Sequence, residues 1–119
     1  MQQSSESETL DEAALLTLVG GDHKLAGELA GLFLNDIEPR MTEITSAVTE
    51  LDAVRLRVGA HALRGSSLTM HANNVSAAAG ELETMAHSGL LKGVQRALDE
   101  LNAAMAILRP RLVALAGAE

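Results

Sequence analysis

Residues 52–70 read Asp-Ala-Val-Arg-Leu-Arg-Val-Gly-Ala-His-Ala-Leu-Arg-Gly-Ser-Ser-Leu-Thr-Met. At about 100° per residue, Leu56, Gly59, Ala60, Leu63, Ser67 and Met70 fall on one side of a helix, with Asp52 as its N-cap. That stripe faces a helical core. His61 lies roughly 160° away by the same arithmetic. Its neighbours on the outer face are Arg57 at i−4, Val58 at i−3, Arg64 at i+3, Gly65 at i+4 and Leu68 at i+7. The segment therefore predicts a core helix with a nucleophilic ring on its back, flanked by two cations able to hold a phosphoryl group through charge-assisted hydrogen bonds. Gly65 clears the approach to the ring, since a glycine on an exposed helix face weakens the helix and packs nothing. Val58 and Leu68, with Val54, add apolar surface to the same face, the mark of a docking site.

Outward from this segment the chain reads as helix throughout. Thr9-Leu10-Asp11-Glu12 matches a capping box for a short helix ending at Gly20-Gly21. Asp22 caps a second helix with Leu25, Leu29, Leu32 and Phe33 inward, ending near Asn35-Asp36. Pro39 opens a third with Met41, Ile44 and Val48 inward. Asn73 or Asn74 starts the helix after the His61 segment, with Val75, Ala78, Ala79, Leu82 and Met85 or Ala86 inward, and Ser88-Gly89 ends it. The last helix begins near Leu91 and carries Val94, Leu98, Leu101, Met105, Leu108, Leu112 and Leu115. Pro110 kinks it or ends its regular part. Gly27, Gly31 and Gly80 mark close helix–helix contacts. Residues 1–8 read as a flexible lead-in, and 9–117 as one domain. The fold class is all-α: an antiparallel four-helix bundle with additional short N-terminal helices.

The 119 residues suffice for one domain. A single Phe, with no Trp or Tyr, leaves the core to Leu, Ala, Val, Ile and Met. A net charge of −7 argues against nucleic acid and against an anionic membrane surface. Without cysteine there is no disulfide, thiolate zinc site or cysteine nucleophile. The polar, acidic start is unlike a signal peptide, and a cytoplasmic protein is expected. His23, His71 and His87 match no metal spacing. Glu83 and His87, at i and i+4, read as an ordinary helix-surface pair. No phosphate-cradling glycine loop is found.

Ala60-His61, Leu63, Arg64-Gly65-Ser66-Ser67 and Ala72 resemble the signature of the histidine-containing phosphotransfer (HPt) domain of multistep phosphorelays. Gly20-Gly21-Asp22 followed by Leu25, Glu28-Leu29 and Phe33 resembles that family's N-terminal segment, and Asp52 and Leu82-Glu83 also fit. The resemblance covers about Leu10 to Glu83. Two positions depart from it: Arg64 replaces the usual lysine, and His71 the usual glycine. The resemblance implies a helical bundle without an ATP site or kinase activity of its own. It implies a phosphocarrier that accepts a phosphoryl group on His61 from a receiver-domain aspartyl phosphate and passes it to another receiver. Arg64 is then expected to steady the phosphoryl oxygens, with Arg57 in support. The expected partners are response-regulator receivers or a hybrid sensor histidine kinase. No cofactor is expected in this chain, the Mg²⁺ belonging to the receiver, and the simplest assembly is a monomer. The competing expectation is a non-catalytic adaptor that binds a signalling partner through the His61 face.

Overall fold

The computed structural model describes residues 2–117, with side chains from residue 6 onward. Six helices follow one another: α1 (Gln2–Thr9), α2 (Glu12–Leu18), α3 (His23–Thr49), α4 (Ala53–Thr69), α5 (Asn73–Ser88) and α6 (Val94–Gly117). Helix α3 packs on α4, α4 on α5, α5 on α6 and α6 back on α3, which closes a four-helix bundle. The short connections between successive long helices make neighbours antiparallel. Helix α2 lies against α3, and α1 against α5 and α6. The core is aliphatic, with Ile37, Ile44, Leu56, Leu63, Leu82, Leu101, Met105, Leu108 and Leu112 fully buried.

The N-terminus departs from expectation. Residues 2–8, read as part of a flexible lead-in, form α1 together with Thr9. Their anchor is Arg111 of α6, whose guanidinium donates to the carbonyls of Glu6 and Leu10 and pairs with Glu12. Thr9 and Leu10 are buried beneath it. Thr9 is therefore the end of one helix rather than the cap of the next. Asp11 caps α2 instead, its carboxylate accepting from the Ala14 N–H at 3.0 Å.

The two helices expected on either side of Asp36 are one, α3, which runs straight through Pro39. A proline ring denies the carbonyl four residues back its N–H partner. Here that carbonyl belongs to Asn35, and both Asn35 and Pro39 face solvent, so water can replace the lost bond. Pro110 is likewise exposed, and α6 continues past it. In the first half of α3 the buried stripe is Ala26, Ala30, Phe33 and Ile37. Leu25 and Leu32, expected inward, are exposed. Met41, Ile44 and Val48 face inward as expected.

The stripe of α4 is buried as read: Leu56, Gly59, Ala60, Leu63, Ser67 and Met70. Asp52 caps it by accepting from the Arg55 N–H at 3.1 Å. The Arg55 guanidinium then reaches Glu43 at 2.9 Å, Glu50 at 2.8 Å and Ser46 at 3.1 Å, tying the start of α4 to α3. Both ends of α4 turn through left-handed residues that are not glycine, Leu51 at φ 53° and His71 at φ 58°. In each turn the next N–H reaches back five residues, from Asp52 to Ala47 and from Ala72 to Ser67, both at 2.9 Å. Position 71 thus adopts the conformation that favours glycine, which gives the glycine usual there in HPt signatures a physical reason.

Candidate functional site

The outer face of α4 and the facing side of α5 enclose an open groove of about 900 Å³. Arg57, Val58, His61, Arg64 and Leu68 form its α4 wall. Ser76, Ala77, Gly80, Glu83, Thr84 and His87 form the other. Four of the five expected α4 residues around His61 therefore share one surface with it; Gly65, one turn on, does not line the groove. A Cβ built on Gly65 meets nothing within 4 Å, so the space over it is open. Val54, Val58, His61, Gly65 and Leu68 recur at steps of four, three, four and three. Such residues line up along one edge of a helix, over about 21 Å. Val54, Val58 and Leu68 are 65%, 62% and 50% exposed, an apolar strip on both sides of the ring.

The His61 ring stands 66% exposed, with Nδ1 2.7 Å from Glu83 Oε2. Glu83 Oε1 accepts from Arg64 Nε, also at 2.7 Å. Partial burial raises the Glu83 carboxyl, but the hydrogen bonds and charges of His61 and Arg64 outweigh it and hold the carboxyl below its ordinary value. It is therefore ionised at neutral pH and can only accept, so Nδ1 carries the hydrogen. Nε2, the outer nitrogen, then presents its lone pair to solvent.

Glu83 is the site residue that periodicity missed. Its i+4 neighbour His87 suggested a pair along α5, yet the carboxylate reaches across to α4, and His87 contributes only to the groove wall. Gly80 explains how Arg64 gets there. A Cβ at position 80 would stand 3.2 Å from Arg64 Cδ, so its absence lets the arginine stem lie flat across α5. Among the described residues only the Nε of Arg64 is hydrogen-bonded, leaving its terminal N–H groups over the groove. Arg57 makes no ion pair among the described residues and faces the same space. The two serines after Gly65 turn back on their own helix. Ser66 donates to the Ala62 carbonyl at 3.1 Å and Ser67 to the Leu63 carbonyl at 2.6 Å. The described residues bring no three His, Asp or Glu side chains into a metal-binding cluster.

Comparison with known proteins agrees with this geometry. A family model described as "Hpt domain" matches residues 28–110, the span that holds His61, Arg64 and Glu83. The crystal structure of histidine-containing phosphotransfer protein B (HptB) from Pseudomonas aeruginosa PAO1 is similar at a TM-score of 0.86 and 26% identity. That likeness covers 93% of this chain and 96% of the other. No curated protein matches the sequence. An exposed histidine held by its inner nitrogen on a closed helical bundle, within a matched span of well over half the chain, places this protein in the Hpt domain family.

Proposed function

We propose that this chain is a cytoplasmic, monomeric phosphocarrier that takes a phosphoryl group onto His61 Nε2 from a receiver-domain aspartyl phosphate and returns it to another receiver. The observation that carries the reading is the His61–Glu83 hydrogen bond at 2.7 Å, which fixes the tautomer and leaves Nε2 the open nucleophile. In the forward step the Nε2 lone pair attacks phosphorus. The N–P bond forms as the acyl P–O bond breaks, and the receiver's aspartate leaves as a carboxylate. Arg64 swings its free N–H groups over the incoming oxygens while its Nε stays on Glu83, and Arg57 adds a second positive charge. Charge neutralisation and positioning supply most of the catalysis in such a transfer. The Mg²⁺ that assists belongs to the receiver. Val54, Val58 and Leu68 give the receiver an apolar seat, and the open space over Gly65 lets its acidic pocket reach the ring. The chain has no ATP-dependent kinase activity of its own.

The test is transfer of label from a panel of phosphorylated receiver domains to the wild type and to His61→Gln. The expected result is an acid-labile, base-stable phosphate on the wild type alone. Label on neither protein, with both folded, would overturn the carrier reading and leave an adaptor that binds partners through the same face.

A further inference from the structure

A phosphorylated imidazole has two protonation states, and they differ as donors. With hydrogen on Nδ1 the ring is cationic, and breaking the N–P bond expels a neutral imidazole. Without it, the same step must expel an imidazolate, a much poorer leaving group, or wait for a proton from solvent. Which state dominates near neutral pH depends on the charges around Nδ1. Arg57 and Arg64 on α4 oppose a cationic ring. On α5 the facing groups are Glu83 and His87. From α3, Asp36, Arg40 and Glu43 lie across the adjoining groove, with Asp36 paired to Arg40 and Glu43 to Arg55. Among the described residues Glu83 is thus the one carboxylate on the walls of the His61 groove. It is 22% exposed, and one of its oxygens lies 2.7 Å from Nδ1.

We propose that Glu83 keeps Nδ1 of phosphorylated His61 protonated, so that the carrier hands its phosphoryl group on without exchanging a proton with water. This rests on His61 being the phosphoacceptor. The accounting closes at every atom. On loading, Nε2 spends its lone pair on phosphorus and the ring becomes cationic beside the Glu83 carboxylate. On unloading, the N–P electron pair returns to Nε2 and the ring leaves neutral. The hydrogen stays on Nδ1 throughout, donated to Glu83 Oε2. Glu83 is a positioning residue that never touches the phosphoryl group.

The test needs no receiver. The wild type, Glu83→Gln and Glu83→Ala are phosphorylated on histidine with phosphoramidate, a small-molecule donor. Nδ1 protonation is then followed by ¹⁵N NMR from pH 5 to 10, alongside the rate of phosphate release. The carboxylate is expected to move the deprotonation midpoint of the phosphorylated ring upward by about one pH unit relative to both variants. At pH 8 the wild type should release phosphate about tenfold faster than either variant, with the three rates converging at pH 5. Glutamine can still accept the Nδ1 hydrogen bond, so a merely orienting role predicts Glu83→Gln like the wild type and Glu83→Ala alone shifted. That pattern, or equal midpoints in all three, would overturn the proposal. Folded against urea-unfolded phosphorylated wild type gives the same comparison without a variant, and equal midpoints there would overturn it too. Labelled wild type that ignores every receiver would sink the carrier reading and leave this inference standing; failure of phosphoramidate to label folded wild type would sink both.

Discussion

Helix α4 has two faces drawn from the same 17 residues, and they obey different constraints. The inner one, Leu56, Gly59, Ala60, Leu63 and Ser67, is buried and seated against the other helices. The outer one, Val54, Val58, His61, Gly65 and Leu68, leaves apolar groups and a reactive ring in water. Burial explains the first, because each apolar group removed from water stabilises the fold. Nothing in folding explains the second, and surface that costs stability without return is surface kept for a partner. The inner face fixes where the outer face stands. A nucleophile on a rigid, over-determined helix needs little motion to meet an incoming phosphorus atom.

Leucine tests the contrast most strongly. Leu63 is fully buried, and Leu63→Ala is expected to destabilise the fold by about 3 kcal/mol through lost burial and the cavity left behind. Leu68, five positions along, is half-exposed, and Leu68→Ala should change stability by less than about 0.5 kcal/mol. Its effect should appear in receiver binding, as a rise of about fivefold in Kd. Urea unfolding and a titration with a receiver separate the two. Equal stability losses would mean that the outer face is structural after all.

Glycine sharpens the contrast, because the same substitution should act with opposite sign. A methyl group at position 59 would stand 3.1 Å from Ile44 Cγ1, and Ile44 is fully buried with nowhere to move. Gly59→Ala is expected to destabilise by about 1–2 kcal/mol despite the better helix propensity of alanine. At position 65 the space is empty, so Gly65→Ala should stabilise by up to about 1 kcal/mol. A bulkier Gly65→Gln should leave the fold intact and slow phosphoryl transfer from a receiver by tenfold or more. Thermal melts and transfer rates on the three variants decide it.

The inner stripe of α4 was legible in the sequence because 3.6-residue periodicity is a property of one helix. So were His61, Arg57, Arg64 and Gly65, which share its outer face. Glu83 was not, since its contact depends on the register between α4 and α5 across 22 residues, and no spacing within one helix reports that. Gly80 hid its meaning for the same reason: the neighbour that needs the space is Arg64, on the other helix. Asn35 and Pro39 show a different limit. A proline reads as a helix start, yet where the unpaired carbonyl faces water the helix runs on. The N-terminal helix was hidden because its anchor, Arg111, lies about a hundred residues downstream.

The ends of α4 carry a smaller effect. His71 holds a left-handed conformation that disfavours every side chain but suits glycine. His71→Gly should raise stability by about 1 kcal/mol, the relief of strain set against the greater entropy of an unfolded glycine. Leu51→Gly should do the same at the other end of the helix. Transfer to and from His61 should be unchanged in both, since neither residue lines the groove. A loss of stability in either would mean that its side chain packs better than its backbone angle suggests.

The smallest effect expected is the most specific to the site. Glu83 joins the two faces' neighbouring helices through His61 and Arg64, and those partners hold its folded pKa below the unfolded value. A carboxyl of this kind binds fewer protons folded than unfolded. Its contribution is therefore fully present above the unfolded value, near 4.5, and fades as pH falls through the lower folded value. His61 is largely exposed and Arg64 partly so, which limits the contribution to about 0.5–1 kcal/mol. At pH 7 Glu83→Gln should unfold at slightly lower urea than the wild type. As pH falls through the lower folded value the wild-type carboxyl takes up its proton, comes to resemble the amide in charge, and the gap should close. If the gap instead keeps its size across that range, the carboxylate's charge contributes nothing to holding α5 against α4, and Glu83 joins the helices only by the shape and hydrogen bonds that glutamine cannot reproduce.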